Sequence, residues 1–274
     1  MNDIYSTKPF IQTKEYKRFV EFAQSCMEYK YIGICYGNPG VGKTFSAHEF
    51  THPEVFDYYE YNIDFNVPLP QKVKNNFHKC NGVFMTVPVC NTPKIIKHIV
   101  YSKTLNYGNA ALRIKDERDL RVLVMEAPKQ CPLLIVDEAD RLNYNALEEL
   151  RALFDEYQFG LILMGMPGIE KRLSRYAQLY SRIGFLHEFK SITKDEMMFL
   201  FEQKWKKLGH QFKANVYLDV EAMNEIIKIT HGNFRLIYRI FDQIERIMKI
   251  NNLQSINKEL VEAARNCLVI GDFL

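Results

Sequence analysis

The chain has 274 residues, of which 47% are hydrophobic and 25% are charged, so it can bury one large core or two smaller ones. Its net charge of +3 is a mild basic excess, which permits nucleic-acid binding without requiring it. Its apolar runs fall short of the roughly 20 residues that cross a bilayer, so we expect no membrane span. Residues 1–10 lack the pattern of a signal peptide and the cysteines are scattered, which indicates a cytoplasmic protein with reduced thiols.

Strands and helices alternate along most of the chain. Residues 14–29 predict an amphipathic helix, and residues 31–36 predict a strand that leads through a glycine-rich turn into a helix at 43–50. Further strands are predicted at 82–89, 132–136, 160–164 and 185–189, and further helices at 94–105, 119–127 and 145–157. This alternation favours an α/β fold whose parallel sheet is covered by helices on both faces.

The pattern changes near residue 190. Thr193 and Glu196 have the spacing of a capping box, which predicts the start of a helix, and only helical periods follow. The clearest of these is at 233–248, where apolar residues recur on one face. We therefore expect an α/β domain over residues 1–190 and a small all-helical domain over residues 191–274.

A glycine-rich motif follows the first predicted strand. It matches G-x-x-x-x-G-K-[ST] and consists of Gly37, Asn38, Pro39, Gly40, Val41, Gly42, Lys43 and Thr44. Glycines let backbone N–H groups surround phosphate oxygens, and the following helix adds its positive end. Lys43 is expected to contact the β- and γ-phosphates of ATP, and the Thr44 hydroxyl is expected to bind Mg²⁺. A chance glycine turn is a poor alternative, because a strand precedes the motif and a helix follows it.

A pair of acids follows the apolar strand at 132–136. Asp137 is the expected Mg²⁺ partner, and Glu138 is placed to orient and polarise the water that attacks the γ-phosphate. An acidic pair can also simply end a strand, but a phosphate loop upstream favours the functional interpretation. The sequence therefore predicts an ATPase that uses Mg²⁺.

Phosphoryl transfer also needs positive charge near the γ-phosphate. Arg182 lies just before the strand at 185–189, and Arg235 lies near the start of the helix at 233–248. Arginines are more commonly surface residues than catalytic ones, so spacing alone leaves both interpretations open.

These motifs resemble those of the AAA+ ATPases. The resemblance rests on the phosphate loop, on Asp137 and Glu138, and on the helical segment G-N-F-R at 232–235. More narrowly, G-M-P-G at 165–168 and Y-S-R-I-G-F at 180–185 are similar to the transposition ATPases of the MuB, TniB and TnsC type. The resemblance extends over residues 13–247.

The resemblance implies a protein that assembles with ATP on double-stranded DNA, as a ring or a helical filament, largely without regard to sequence. It implies that this homo-oligomer recruits or activates a transposase, acts with target-selector proteins, and is dismantled by ATP hydrolysis. Arg182 matches the arginine finger, which acts in trans on a neighbour's ATP, with Arg172 and Arg175 as competitors. Arg235 matches the second sensor, which acts in cis on the γ-phosphate, and residues 10–15 match the surroundings of the adenine.

One position departs from the AAA+ pattern. These proteins usually carry a polar first sensor at the end of the strand that follows the acidic pair, and this chain has Gly165 and Met166 there. The departure leaves the sensing of the γ-phosphate unexplained, and it predicts slow hydrolysis, suited to a timer and not to a motor.

A basic stretch between the second and third predicted strands is the candidate DNA surface. Lys103 and Arg121 are the predicted phosphate contacts, which would position the protein on DNA without reading its sequence. The stretch comprises Lys94, Lys97, Lys103, Arg113, Lys115, Arg118 and Arg121. Because Asp116, Glu117 and Asp119 lie within it, a solvated helix face is an equal alternative.

Two other functions stay open from the sequence. The same ATP site would suit a AAA+ helicase loader or replication initiator, and it would also suit a nucleotide-gated switch that acts on proteins and not on DNA. ATP-dependent assembly on duplex DNA separates the transposition hypothesis from the last of these.

Overall fold

A computed structural model describes residues 10–56, 68–116, 119–207, 213, 216–253 and 255–268. The chain forms two compact units, and the main boundary between them lies between Phe189 and Lys190. The first contains residues 16–38 and 43–189. The second begins at residue 190 and also includes residues 13–15 and 39–42, so it holds part of the glycine-rich loop.

The first unit is built on a five-stranded parallel sheet. Its strands are β1 (Ile32–Tyr36), β2 (Val83–Thr86), β3 (Leu133–Asp137), β4 (Gly160–Gly165) and β5 (Ile183–Glu188), arranged in the order β2-β3-β4-β1-β5. In a parallel sheet the carboxyl ends of all strands meet at one edge, so the segments that follow β1, β3 and β4 are neighbours. The predicted parallel α/β sheet is confirmed.

Helices cover this sheet. They are α1 (Lys14–Tyr29), α2 (Lys43–Thr51), α3 (Gln71–Asn76), α4 (Pro93–Ile114), α5 (Leu120–Met125), α6 (Tyr144–Tyr157), α7 (Ile169–Leu173) and α8 (Ala177–Tyr180). Every residue of β3 and β4 is buried. Because successive side chains of a strand point to opposite faces, both faces of the central strands are covered.

Several predicted elements have different bounds in the structure, and for two of them neighbouring residues give the reason. Helix α4 continues to Ile114, whereas the prediction ended it at residue 105. The prediction was too short because Gly108 interrupts the apolar pattern, although the helix runs through this glycine. A Cβ at Gly108 would lie 1.7 Å from the carbonyl oxygen of Ala127, so glycine lets the helix approach that turn. Strand β2 ends at Thr86 and not at residue 89, because Pro88 has no N–H to continue the ladder.

The second unit is helical, with α9 (Lys194–Lys207), α10 (Tyr217–Thr230), α11 (Phe234–Asn251) and α12 (Lys258–Asn266). The predicted capping box forms at α9, where the Thr193 N–H donates to Glu196 Oε2 at 3.0 Å and the Glu196 N–H donates to Thr193 Oγ1 at 3.4 Å. Phe201, Trp205 and Phe241 pack together in its core. No helix in the described part of the chain is long and apolar enough to cross a membrane.

Candidate nucleotide-binding site

The phosphate loop connects β1 to α2, as the motif predicts. Gly40 and Gly42 have φ angles of +82° and +114°, which residues other than glycine rarely adopt, so glycine is favoured at both positions. Lys43 begins α2 and is only 9% exposed. Its Nζ donates to the carbonyl oxygens of Gly37 at 2.6 Å and Asn38 at 3.0 Å. The ammonium group is therefore held within the loop by the loop's own backbone.

Thr44 and Asp137 meet at the carboxyl edge of the sheet. Thr44 Oγ1 donates to Asp137 Oδ2 at 2.6 Å. Asp137 is 6% exposed, and its Oδ1 accepts from the Glu138 N–H at 2.8 Å. A hydroxyl and a carboxylate are oxygen ligands of the kind that Mg²⁺ prefers, together with phosphate oxygens and water. The donor set therefore fits the metal that the sequence predicts.

Glu138 lies directly after β3 and is paired with a neighbouring arginine. Its backbone is left-handed, with φ +56°. Arg141 forms an ion pair with Glu138 Oε2 and donates from Nη1 to the Val87 carbonyl oxygen at 3.2 Å. The Glu138 side chain is 44% exposed, so water screens this pair. Because the pair is made through Oε2, the other carboxylate oxygen could act on an attacking water, as predicted, while Arg141 stays in place.

Asp140 contacts the end of β4, where a first sensor is usually found, and the sequence patterns did not reveal this contact. Its Oδ2 accepts from the Met166 N–H at 2.8 Å, directly after β4. A Cβ at Gly165 would lie 2.4 Å from the same oxygen, so the glycine lets this carboxylate approach the strand. The Asp140 carboxylate therefore orders the end of β4.

Arg182 lies at the opposite end of β1 from the phosphate loop. Its carbonyl oxygen accepts from the Ile32 N–H at 3.0 Å, beside the first residue of the strand, whereas the loop follows the last. A strand of 5 residues spans about 16 Å, farther than an arginine side chain reaches. The guanidinium instead binds Asp155, from Nε at 2.7 Å and from Nη2 at 2.8 Å, and this hydrogen bonding raises the pKa of Arg182.

The two competing arginines have different surroundings. Arg172 donates from Nη1 to the Asp140 carbonyl oxygen at 2.5 Å and from Nη2 to the Leu142 carbonyl oxygen. It therefore braces the turn that follows the acidic pair. Arg175 is exposed, between α7 and α8.

The helical unit contains Arg235 together with residues 39–42 of the loop. Arg235 is exposed on the first turn of α11. A Cβ at Gly40 would lie 2.9 Å from Arg235 Cβ, so the predicted second sensor lies beside the loop. Asn233 also contacts the loop, donating from Nδ2 to the Pro39 carbonyl oxygen at 2.7 Å. The sequence marked Asn233 only as part of a motif and did not reveal this hydrogen bond.

Aromatic rings surround the start of the segment predicted to contact adenine. The ring of Phe10 lies edge-on to Tyr16 at 4.6 Å and parallel to Phe45 at 6.2 Å. Phe45 follows Thr44 in α2, so these rings lie beside the helix that the phosphate loop opens. Flat apolar surfaces of this kind suit a nucleobase. The adenine contact of residues 10–15 stays a prediction.

The basic stretch is not one continuous surface. Lys103 is half-buried and lines a small cavity with Phe56 and Phe84, whereas Arg121 is exposed on the first turn of α5. Lys94 is exposed at the start of α4. Arg118 lies outside the described residues. The two predicted DNA contacts are thus on different helices.

The sequence matches the AAA domain family over residues 26–173, which is more than half of the chain. The chain belongs to the AAA family of ATPases. The matched region contains the phosphate loop, Asp137 and Glu138, and membership supports ATP binding and ATPase activity in general. The predicted relationship to AAA+ ATPases is therefore confirmed.

Relatives of this AAA ATPase include proteins of transposition. A potential ATP-binding protein of Staphylococcus aureus is 46% identical over 264 residues, which is 96% of this chain and 97% of that protein. The Mu-like prophage FluMu DNA transposition protein B of Haemophilus influenzae is 27% identical over 261 residues, 86% of this chain and 77% of that protein. The ATP-dependent target DNA activator B of phage Mu is 26% identical over 180 residues, 64% of this chain and 49% of that protein. The predicted MuB-type relationship is confirmed, at low identity.

Solved structures agree on the fold. The RuvB Holliday junction branch migration motor of Thermotoga maritima superposes with a TM-score of 0.57 at 18% identity, over 94% of this chain and 70% of that one. The Aeropyrum pernix ORC1 protein, solved in complex with DNA, superposes with a TM-score of 0.55 at 15% identity, over 97% of this chain and 67% of that one.

Proposed function

We propose that this AAA ATPase is a cytoplasmic, ATP-dependent regulator of transposition that forms homo-oligomers on duplex DNA and recruits or activates a transposase. The similarity to two transposition proteins, over 261 and 180 residues, carries this proposal. ATP acts as the assembly signal, and its hydrolysis dismantles the oligomer.

The phosphate loop and the acidic pair divide the work of hydrolysis. Lys43 neutralises charge on the β- and γ-phosphates. Thr44 and Asp137, whose side-chain oxygens lie 2.6 Å apart, would hold Mg²⁺, which would neutralise charge on the phosphate oxygens. Glu138 orients the attacking water through the carboxylate oxygen that does not face Arg141. Gly165 and Met166 in place of a polar first sensor support a slow basal rate that DNA or a protein partner raises.

The position of Arg182 supports action in trans. It lies about 16 Å from its own phosphate loop, at the far end of β1, so it can complete only the site of another copy. There its guanidinium would stabilise charge that develops on the γ-phosphate. The ATP site would thus be complete only in an oligomer. Arg235, beside Gly40, would sense the γ-phosphate within its own chain.

Basic side chains provide the DNA contact in this proposal. Arg121 is exposed, so a phosphate group can approach it. Lys103 is half-buried beside Phe56 and Phe84, and a lysine can contact a phosphate with its ammonium while its aliphatic stem packs on apolar rings. Contacts of this kind neutralise phosphates without reading bases, so binding should be salt-sensitive and largely independent of sequence.

Filter binding to duplexes of unrelated sequence tests this function. With a slowly hydrolysed ATP analogue we expect binding to every duplex, weakened steeply by salt, and no binding without nucleotide. Lys43→Ala is the matched control, because it removes the phosphate contact and should not bind DNA under either condition.

Two results would redirect the proposal. Tight ATP binding without any assembly on DNA would favour a nucleotide-gated switch. Assembly on DNA with a replicative helicase as the co-purifying partner, and no effect on a transposase, would favour a helicase loader.

A further inference from the structure

Asn233 uses both ends of its side-chain amide within the helical unit. Its Oδ1 accepts from the Leu236 N–H at 3.3 Å and so caps α11. Its Nδ2 donates to the Pro39 carbonyl oxygen at 2.7 Å. The residue is only 9% exposed, so water competes little for either bond. One side chain therefore joins the first turn of α11 to the phosphate loop.

This hydrogen bond orients the peptide between Pro39 and Gly40. The peptide is planar and trans, so its C=O and N–H point in opposite directions. Because the Pro39 C=O points to Asn233, the Gly40 N–H must point away from it. Gly40 also lies close to the amide, since a Cβ there would be 2.3 Å from Asn233 Oδ1. Asn233 thus packs against one side of the loop at this peptide.

A phosphate loop works only when its N–H groups face the phosphates. We infer that Asn233 is a positioning residue for nucleotide binding, which fixes the Pro39–Gly40 peptide so that the Gly40 N–H is presented to phosphate. The same bond ties the loop to α11, the helix that carries Arg235. This inference rests on the ATP-binding part of the proposed function and needs neither DNA binding nor oligomers.

Asn233→Ser separates this role from helix capping. Serine is also a good cap, but its hydroxyl is too short to span to Pro39. Loss of one neutral hydrogen bond should weaken ATP binding about five- to tenfold. Backbone N–H groups of such loops contact the α- and β-phosphates, so the affinity for ADP should fall by a similar factor. Arg235→Ala should instead weaken the binding of ATP more than that of ADP.

Asn257→Ser is the matched control. Asn257 caps α12 by accepting from the Leu260 N–H at 2.9 Å, in the same helical unit. Calorimetric titration with ATP and with ADP, and thermal unfolding without nucleotide, are measured on both variants. We expect similar unfolding midpoints, with weaker nucleotide binding in Asn233→Ser alone. Unchanged nucleotide affinity in Asn233→Ser, or an equal loss in Asn257→Ser, would overturn the inference.

Asn233→Asp keeps the experiment decisive if the serine variant does not fold. Aspartate retains the size and the cap but places an acceptor against the Pro39 carbonyl oxygen. It should fold and bind ATP and ADP at least tenfold more weakly. Nucleotide affinity equal to that of the unaltered chain would contradict the inference. Failure of the unaltered chain to bind ATP would instead contradict the proposed function.

Discussion

Replacing Gly40 with alanine tests how the phosphate loop is held. At φ +82° an alanine costs about 1–2 kcal/mol in backbone strain. The new Cβ would also lie 2.3 Å from Asn233 Oδ1, and such overlap costs about a further 1–3 kcal/mol. Gly40→Ala should therefore destabilise the folded loop by roughly 2–5 kcal/mol and abolish measurable ATP binding.

Gly168→Ala isolates the backbone part of this effect. Gly168 has φ +101°, and no atom lies within 4 Å of the position of its Cβ. The free energy of unfolding of this variant should fall by only about 1–2 kcal/mol, and its ATP affinity should be unchanged. Thermal unfolding and titration with ATP are measured on both variants. Equal unfolding midpoints together with normal ATP binding by Gly40→Ala would refute the reasoning, because the loop would then not be packed against Asn233.

Three further predictions concern the acidic pair and the sheet. Glu138→Gln should keep ATP binding but lower the rate of phosphate release about 10²–10⁴-fold. Arg141→Ala, which breaks the same ion pair but leaves the carboxylate, should not lower this rate to the same extent. Normal turnover by Glu138→Gln would contradict the role of Glu138. Thr44→Val should weaken the increase in ATP affinity that Mg²⁺ produces, while Thr44→Ser, which retains a hydroxyl beside Asp137, should keep it. Equal responses of the two variants would rule Thr44 out as a ligand. Burial lowers the pKa of His187 to about 4, below its unfolded value, so the unfolded chain binds more protons between these values. Stability should therefore be complete above about pH 6.5 and fall by at most about 3 kcal/mol as the pH approaches 4. His187→Gln should flatten this dependence in thermal unfolding, and an unchanged pH profile would show that other groups cause it.

Local sequence patterns predicted the parts of the site that are contiguous in the chain. The loop from Gly37 to Thr44 and the acids after β3 combine fixed residue types with strand and helix periods. Because parallel strands end at one edge, the meeting of Thr44 with Asp137 could also be expected. These elements needed no knowledge of tertiary packing.

Contacts that depend on packing could not be predicted in this way. Asp140 reaches the end of β4, and Asn233 reaches Pro39, across long sequence separations that no period encodes. The length of α4 was missed because Gly108 weakens helix propensity yet is needed for close approach to Ala127. The pairing of Arg182 with Asp155 likewise joins elements whose side-chain directions are set only by the folded chain.

The central claim is that each ATP site is completed by Arg182 of a neighbouring copy. Mixing Arg182→Ala with Glu138→Gln chains on duplex DNA tests it most directly, since both variants retain the phosphate loop and each alone should hydrolyse ATP poorly. In an equal mixture, about a quarter of the interfaces join an intact Glu138 to an intact Arg182 of the next copy. We predict that the mixture recovers up to about a quarter of the unaltered ATPase rate. A rate no higher than the mean of the two separate variants would contradict completion in trans.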